Sequence, residues 1–274
     1  MNGTDWTAIS SPFTDADDDI IAVTGQGDLV IVVNGLNASY AYSSDVGVTW
    51  TEVTGLSKVL TNAYFINTAN IWFVGNDGYI FQSTNGGVSV STKDAGTATS
   101  STLLDISFAD SRLGYAVGED NAFVRTTDGG EVWSAVTGPA ASVFPNDLYV
   151  VTAVPGKDIV FVGDESGNVW RSTDKGETWS SVLSNTNLIG GIRGIEIADC
   201  NTITVLGNDQ DPYFYSGSSV DGTIYRSIDG GNIWEGVDLE TNDGMNGIAM
   251  CGPNRFWVVG ESGNIQLVTG EVLT

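Results

Sequence analysis

The sequence predicts an all-β fold, a six-bladed β-propeller of four-stranded antiparallel blades. Three observations carry this expectation. A turn motif recurs five times, beginning at Ser43, Ser83, Thr126, Ser172 and Ser227, so successive copies stand 40, 43, 46 and 55 residues apart, the period of one blade. Short apolar strands ending in glycine recur between those turns, as in Trp72–Gly75, Tyr115–Gly118, Val160–Gly163 and Trp257–Gly260. Finally, 35 glycines against 6 prolines fit a chain of many tight turns.

Each repeat reads as four strands, A to D. An inner strand such as Asp105–Phe108 leads to the glycine-ended strand, then to a short strand such as Ala122–Val124, then to the recurring turn between C and D. Counting A–B pairs gives six blades in a single domain: about 18–54, 60–95, 102–137, 146–184, 192–239 and 245–274. The sixth has no turn motif of its own after Ile265–Leu267. Residues 3–9 read as the second half of one, so the N-terminal strand is expected to close the last blade.

The turn itself is written Ser43-Ser44-Asp45-Val46-Gly47-Val48-Thr49-Trp50, with near copies ending in Trp133, Trp179 and Trp234, and a degenerate copy with Asn85 for Asp and Val90 for Trp. It resembles the Asp-box (BNR) repeat of the photosystem II assembly-factor, sortilin and sialidase-like propellers. In such a turn Asp45, Asp128, Asp174 and Asp229 bond nearby backbone. Trp50, Trp133, Trp179 and Trp234 enter the next strand as apolar anchors. The resemblance implies structural roles for these eight residues, and the compact repeat looks most like the assembly-factor group, whose members are non-catalytic.

Composition narrows the function. The net charge is −24 and histidine is absent. So acidic a surface repels phosphates, which argues against nucleic acid and anionic membranes as partners. Without histidine there is no histidine-based acid–base pair, triad or metal site. No apolar run reaches transmembrane length and the first 25 residues do not read as a signal peptide. Asp15–Asp19 lacks the central Gly and distal Glu of a calcium loop and reads as a solvated turn. No metal or cofactor is expected. The two cysteines, Cys200 and Cys251, fall near neighbouring A–B turns, and whether they pair stays open.

The sialidase arrangement of an arginine cluster with a Tyr nucleophile is missing. Only six arginines occur, and Arg125, Arg171 and Arg226 share one position before the turn, reading as bridges to neighbouring acids or as a small basic stripe. Candidate binding residues fall at the A-strand starts that face the channel mouth: Asp19, Asn62, Asp105, Asp147, Arg193 and Asn246. The long loop of the fifth repeat adds Tyr213, Phe214 and Tyr215 as aromatic anchors. The expected function is a non-enzymatic interaction propeller exposed outside the cell, a virion surface component whose mouth binds a protein or glycan, with assembly into a larger particle. The alternatives are a cellular assembly factor or surface receptor of the photosystem-assembly type, and a sialidase-like glycoside hydrolase.

Overall fold

The computed structural model describes residues 7–13, 19–139, 146–184, 190–199, 201–210, 220–239, 244–252, 255–260 and 264–269. Its strands form six antiparallel sheets, each a meander in chain order. The fold class is the expected six-bladed propeller. Two compact units divide the chain, residues 1–136 and 137–274.

The first unit holds three four-stranded blades. Blade 1 runs through β1 (Ile20–Gln26), β2 (Leu29–Asn34), β3 (Tyr40–Ser43) and β4 (Thr51–Val53). Blade 2 comprises β5 (Leu60–Phe65), β6 (Ile71–Gly75), β7 (Tyr79–Ser83) and β8 (Ser91–Ala95). Blade 3 comprises β9 (Leu103–Phe108), β10 (Gly114–Gly118), β11 (Phe123–Thr126) and β12 (Ser134–Ala135). The second unit holds blade 4, from β13 (Leu148–Ala153) and β14 (Val160–Asp164) to β15 (Asn168–Ser172) and β16 (Ser180–Ser184). Blade 5 follows with β17 (Ile192–Ile197), β18 (Ile203–Gln210), β19 (Val220–Ser227) and β20 (Glu235–Asp238). Blade 6 has β21 (Met245–Gly252), β22 (Arg255–Gly260) and β23 (Ile265–Thr269) among the described residues.

The apolar cores lie between adjacent blades, because each sheet offers two apolar faces to its neighbours. Leu29, Ile31, Val33 and Tyr40 of blade 1 pack on Leu60, Ala63, Ile71 and Phe73 of blade 2. Trp72, Val74 and Ile80 of blade 2 pack on Ile106, Phe108 and Trp133 of blade 3. In the second unit Phe161 and Val169 meet Ile192, Ile195 and Val205, and Leu206 and Ile224 meet Met245, Phe256 and Val258. Second strands such as Ile71–Gly75, Gly114–Gly118 and Val160–Asp164 are therefore buried along their whole length. The glycine ending them admits a close approach: a Cβ on Gly118 would stand 1.9 Å from the Thr102 carbonyl oxygen.

Every first strand carries a bulge near its start in its pairing with the second, and β21 carries another near its end. At these first bulges the ladder skips Ile21, Thr61, Leu104, Tyr149, Arg193 and Asn246. The residue before each skip is apolar, and from blade 2 onward (Leu60, Leu103, Leu148, Ile192, Met245) it is fully buried. The skipped residue is half-buried or exposed.

Residues 3–6 of the expected closing strand lie outside the described residues, and Thr7–Ile9 are not in a strand. Further along that segment, Phe13 is buried against Val32 and Ala41 beside Trp50 of blade 1.

Candidate functional site

Five turns are closed by the same local chemistry. In blade 1 the Ser43 hydroxyl donates to Asp45 Oδ1 at 2.7 Å and accepts the Gly47 N–H at 2.7 Å. The Thr49 N–H and hydroxyl then donate to the two oxygens of the same carboxylate, at 2.8 and 2.7 Å. Blade 4 repeats this with Ser172, Asp174, Gly176 and Thr178. Thr126–Asp128 and Ser227–Asp229 do so with backbone donors at Val132 and Ile233. These donors hold the carboxyls below the usual carboxylate range: Asp45 and Asp174 sit at about 2, lowered first by the side chains of Thr49 and Thr178. Asn85 keeps the turn by turning its amide N–H toward Ser89 Oγ at 2.9 Å, while its Oδ1 accepts the Ser89 N–H at 3.0 Å.

A second contact ties each of these turns to the A–B turn of its own blade. Backbone N–H groups of Val46, Gly86, Gly129, Lys175 and Gly230 donate to the carbonyls of Asp28, Ala69, Arg112, Asp158 and Asn201 at 2.9–3.1 Å. The anchors vary in depth. Trp133 is buried, while Trp50, Trp179 and Trp234 are half-buried.

At the repeated arginine position, Arg171 reaches the next blade. Arg171 donates through Nη1 to the carbonyl of Gly230, in the turn of blade 5. For Arg171 the partner is therefore a backbone carbonyl where a neighbouring acid was expected.

The expected mouth residues do not share one register, because they stand at different positions relative to the repeated bulge. Arg193 and Asn246 are the skipped residues of blades 5 and 6. Asn62 and Asp105 stand one position later, and Asp19 and Asp147 directly precede their strands. Tyr213, Phe214 and Tyr215 lie outside the described residues, as does Cys200, while Cys251 lies in β21.

Each unit nevertheless brings some of these residues together. In the first, the Asn62 amide donates to Asp105 Oδ1 at 2.8 Å across blades 2 and 3. In the second, the Arg193 guanidinium lies over the Tyr149 ring, 4.8 Å from its centroid. Near Tyr149 the Asp147 N–H donates to Glu165 Oε1 at 3.3 Å. Burial raises the Tyr149 hydroxyl above its ordinary value, and Arg193 partly opposes this. Arg193 is exposed, so the stacked pair presents one cation on an aromatic support, with Glu165 and Asp147 near the ring. Tyr149 escaped the sequence reading, since only the pairing register reveals that it and Arg193 are equivalent skipped residues. Among the described residues no cluster of three or more metal-ligating side chains occurs, and no helix is long and apolar enough to cross a membrane.

Blades of this construction define the chain as a β-propeller of Asp-box repeats. It belongs to the family described as Photosynthesis system II assembly factor YCF48, whose match covers residues 88–269. The photosystem II assembly lipoprotein Ycf48 of Synechococcus sp. (strain CC9902) is 22% identical over 170 residues, 62% of this chain and 46% of that protein. A xyloglucanase of Paenibacillus sp. is 29% identical over 145 residues, 43% of this chain and 13% of the enzyme. The chain thus matches less than half the length of either relative. A solved structure of YCF48 bound to D1 peptide superposes with a TM-score of 0.72 at 14% identity, covering 98% of this chain and 83% of that one.

Proposed function

We propose that this chain is a non-enzymatic propeller that binds an extended segment of a partner protein, in the manner of an assembly factor. The observation that carries the reading is the exposed Arg193 guanidinium stacked on Tyr149, on two neighbouring first strands. A planar cation held on an aromatic ring, with acids near that ring, suits a peptide carboxyl or carbonyl more than a uniformly acidic mouth would. Family membership supports the assembly-factor alternative. The relatives lend no support to a virion surface component or to host attachment. The lipoprotein relative favours action outside the cytoplasm. The xyloglucanase match covers a small part of that enzyme and supports shared blades rather than shared catalysis.

A D1 peptide is the first probe, because a YCF48 structure holds one. Fluorescence anisotropy of labelled D1 peptide should show saturable binding to the full chain. Arg193→Ala and Tyr149→Ala should each weaken it about tenfold. Absence of binding, or release of reducing sugar from xyloglucan by the purified chain, would overturn the reading.

A further inference from the structure

An open cleft of about 570 Å³ lies between blades 1 and 2, on the side of the recurring turns. Asp28, Leu29, Tyr42 and Ser44 line it from blade 1, and Thr68, Asn85, Gly86 and Val88 from blade 2. The turn on its blade-2 wall is the copy in which Val90 replaces the tryptophan. Between blades 2 and 3 that tryptophan is Trp133, which packs against Trp72 and Phe108.

Two comparisons within the molecule indicate what this cleft lacks. First, Asp28 and Asp158 are equivalent: each accepts, through its carbonyl, the turn N–H of its own blade, from Val46 and Lys175, both at 3.0 Å. In blade 4 the Lys175 ammonium reaches back to the Asp158 carboxylate at 3.6 Å. In blade 1 the same position is Val46, so that ammonium is missing. Second, Tyr42 occupies the strand position of Arg171, since Tyr42 pairs with Ile31 as Arg171 pairs with Phe161. Arg171 donates to Gly230 of the next blade. The equivalent residue beside Tyr42 is Gly86, a cleft residue. The second unit therefore supplies from its own side chains two cations at positions where the cleft of the first has none. No lysine or arginine lines the cleft.

We propose that this cleft seats a lysine or arginine side chain of a protein partner. The Asp28 carboxylate takes the charged head, and Tyr42, Leu29 and Val88 cover the aliphatic stem. The net charge of −24 favours a basic segment over an acidic or neutral one. The site lies within the first unit and stands independently of the Arg193–Tyr149 pair.

The test is NMR titration of the full chain with the tripeptide acetyl-Gly-Lys-Gly-amide, its norleucine analogue, and cellotetraose as a neutral saccharide. The lysine tripeptide should shift amides at 28–29, 42–44 and 85–88 saturably. Asp28→Asn should weaken it about fivefold, whereas Glu119→Gln, with the same charge change, should not. Val46→Lys should abolish the shifts by filling the cleft from within, since Lys175 shows that lysine accepts this backbone conformation (φ 64° there, 60° at Val46). Shifts spread over the whole acidic surface and reduced equally by Glu119→Gln would overturn the proposal. So would absence of shifts, equal response to norleucine or cellotetraose, or undiminished binding by the Val46→Lys chain.

Discussion

Trp133 meets Trp72 edge-on, with ring centroids 5.8 Å apart and planes at 70°, so the anchor of one blade's turn rests on the second strand of the blade before it. Gly130 of the same turn covers the same ring: a Cβ there would lie 2.0 Å from Trp72. Trp133→Ala should therefore lower stability by roughly 3–5 kcal/mol in urea unfolding. A loss below about 1 kcal/mol would show that the tryptophan does not anchor the blades.

Gly130→Ala combines that clash with a φ of 82°, which alanine resists. It should cost more than Gly156→Ala, where φ is 67° but nothing lies within 4 Å of the added carbon. Thermal unfolding of the two variants checks the order. Equal losses would mean that backbone strain alone matters and that the ring contact is slack.

The turn carboxylates set an acid limit. Asp45 and Asp174 are depressed to about 2 by bonds that exist only in the folded chain. Their contribution is present above the unfolded carboxylate range and is lost as pH falls through about 2. Melting temperature should drop between about pH 4 and 2. Asp45→Asn together with Asp174→Asn should flatten that drop. An unchanged acid limb in the double variant would count against it.

Glu196 behaves oppositely. Burial pushes it up to about 7, against a hydrogen bond from the Met250 backbone. Its folded value exceeds its unfolded one, so its contribution is most favourable at low pH and declines as pH rises to about 7. Glu196→Gln should raise the melting temperature at pH 8 and change it little at pH values below about 4.5. A variant less stable than the parent at pH 8 would show that the carboxylate is needed where it stands.

Self-repulsion of 34 acids against 10 bases should make the whole chain sensitive to ionic strength. Melting temperature should climb between about 0.05 and 1 M sodium chloride as screening shortens the reach of that repulsion. A flat response would leave aspartate as a turn residue and nothing more.

The turns were legible in the sequence because their closure is local. Ser43, Asp45, Gly47 and Thr49 lie within seven residues and bond one another, so spacing alone exposes them. The six-blade count followed from the same repeat. The binding positions were less legible. Arg193 was found from its place at the start of a first strand. Its partner Tyr149 and its relation to Asn246 depend on which residue the ladder skips, a property of strand pairing and not of strand composition. The cleft at Asp28 required two further facts beyond any single repeat: that blades 1 and 2 face each other there, and that Lys175 fills by itself what Val46 leaves open.

The skipped residue in each first strand has a consequence for the variety the blades carry. Ile21, Thr61, Leu104, Tyr149, Arg193 and Asn246 stand outside the ladder, and the flanking pairs form around each of them. Aliphatic, hydroxyl, aromatic, cationic and amide groups have all been accepted at this one place in otherwise similar sheets. The same backbone device thus carries six different side chains, some turned to structural use, as where the Thr61 hydroxyl bonds the Leu103 carbonyl of the next blade.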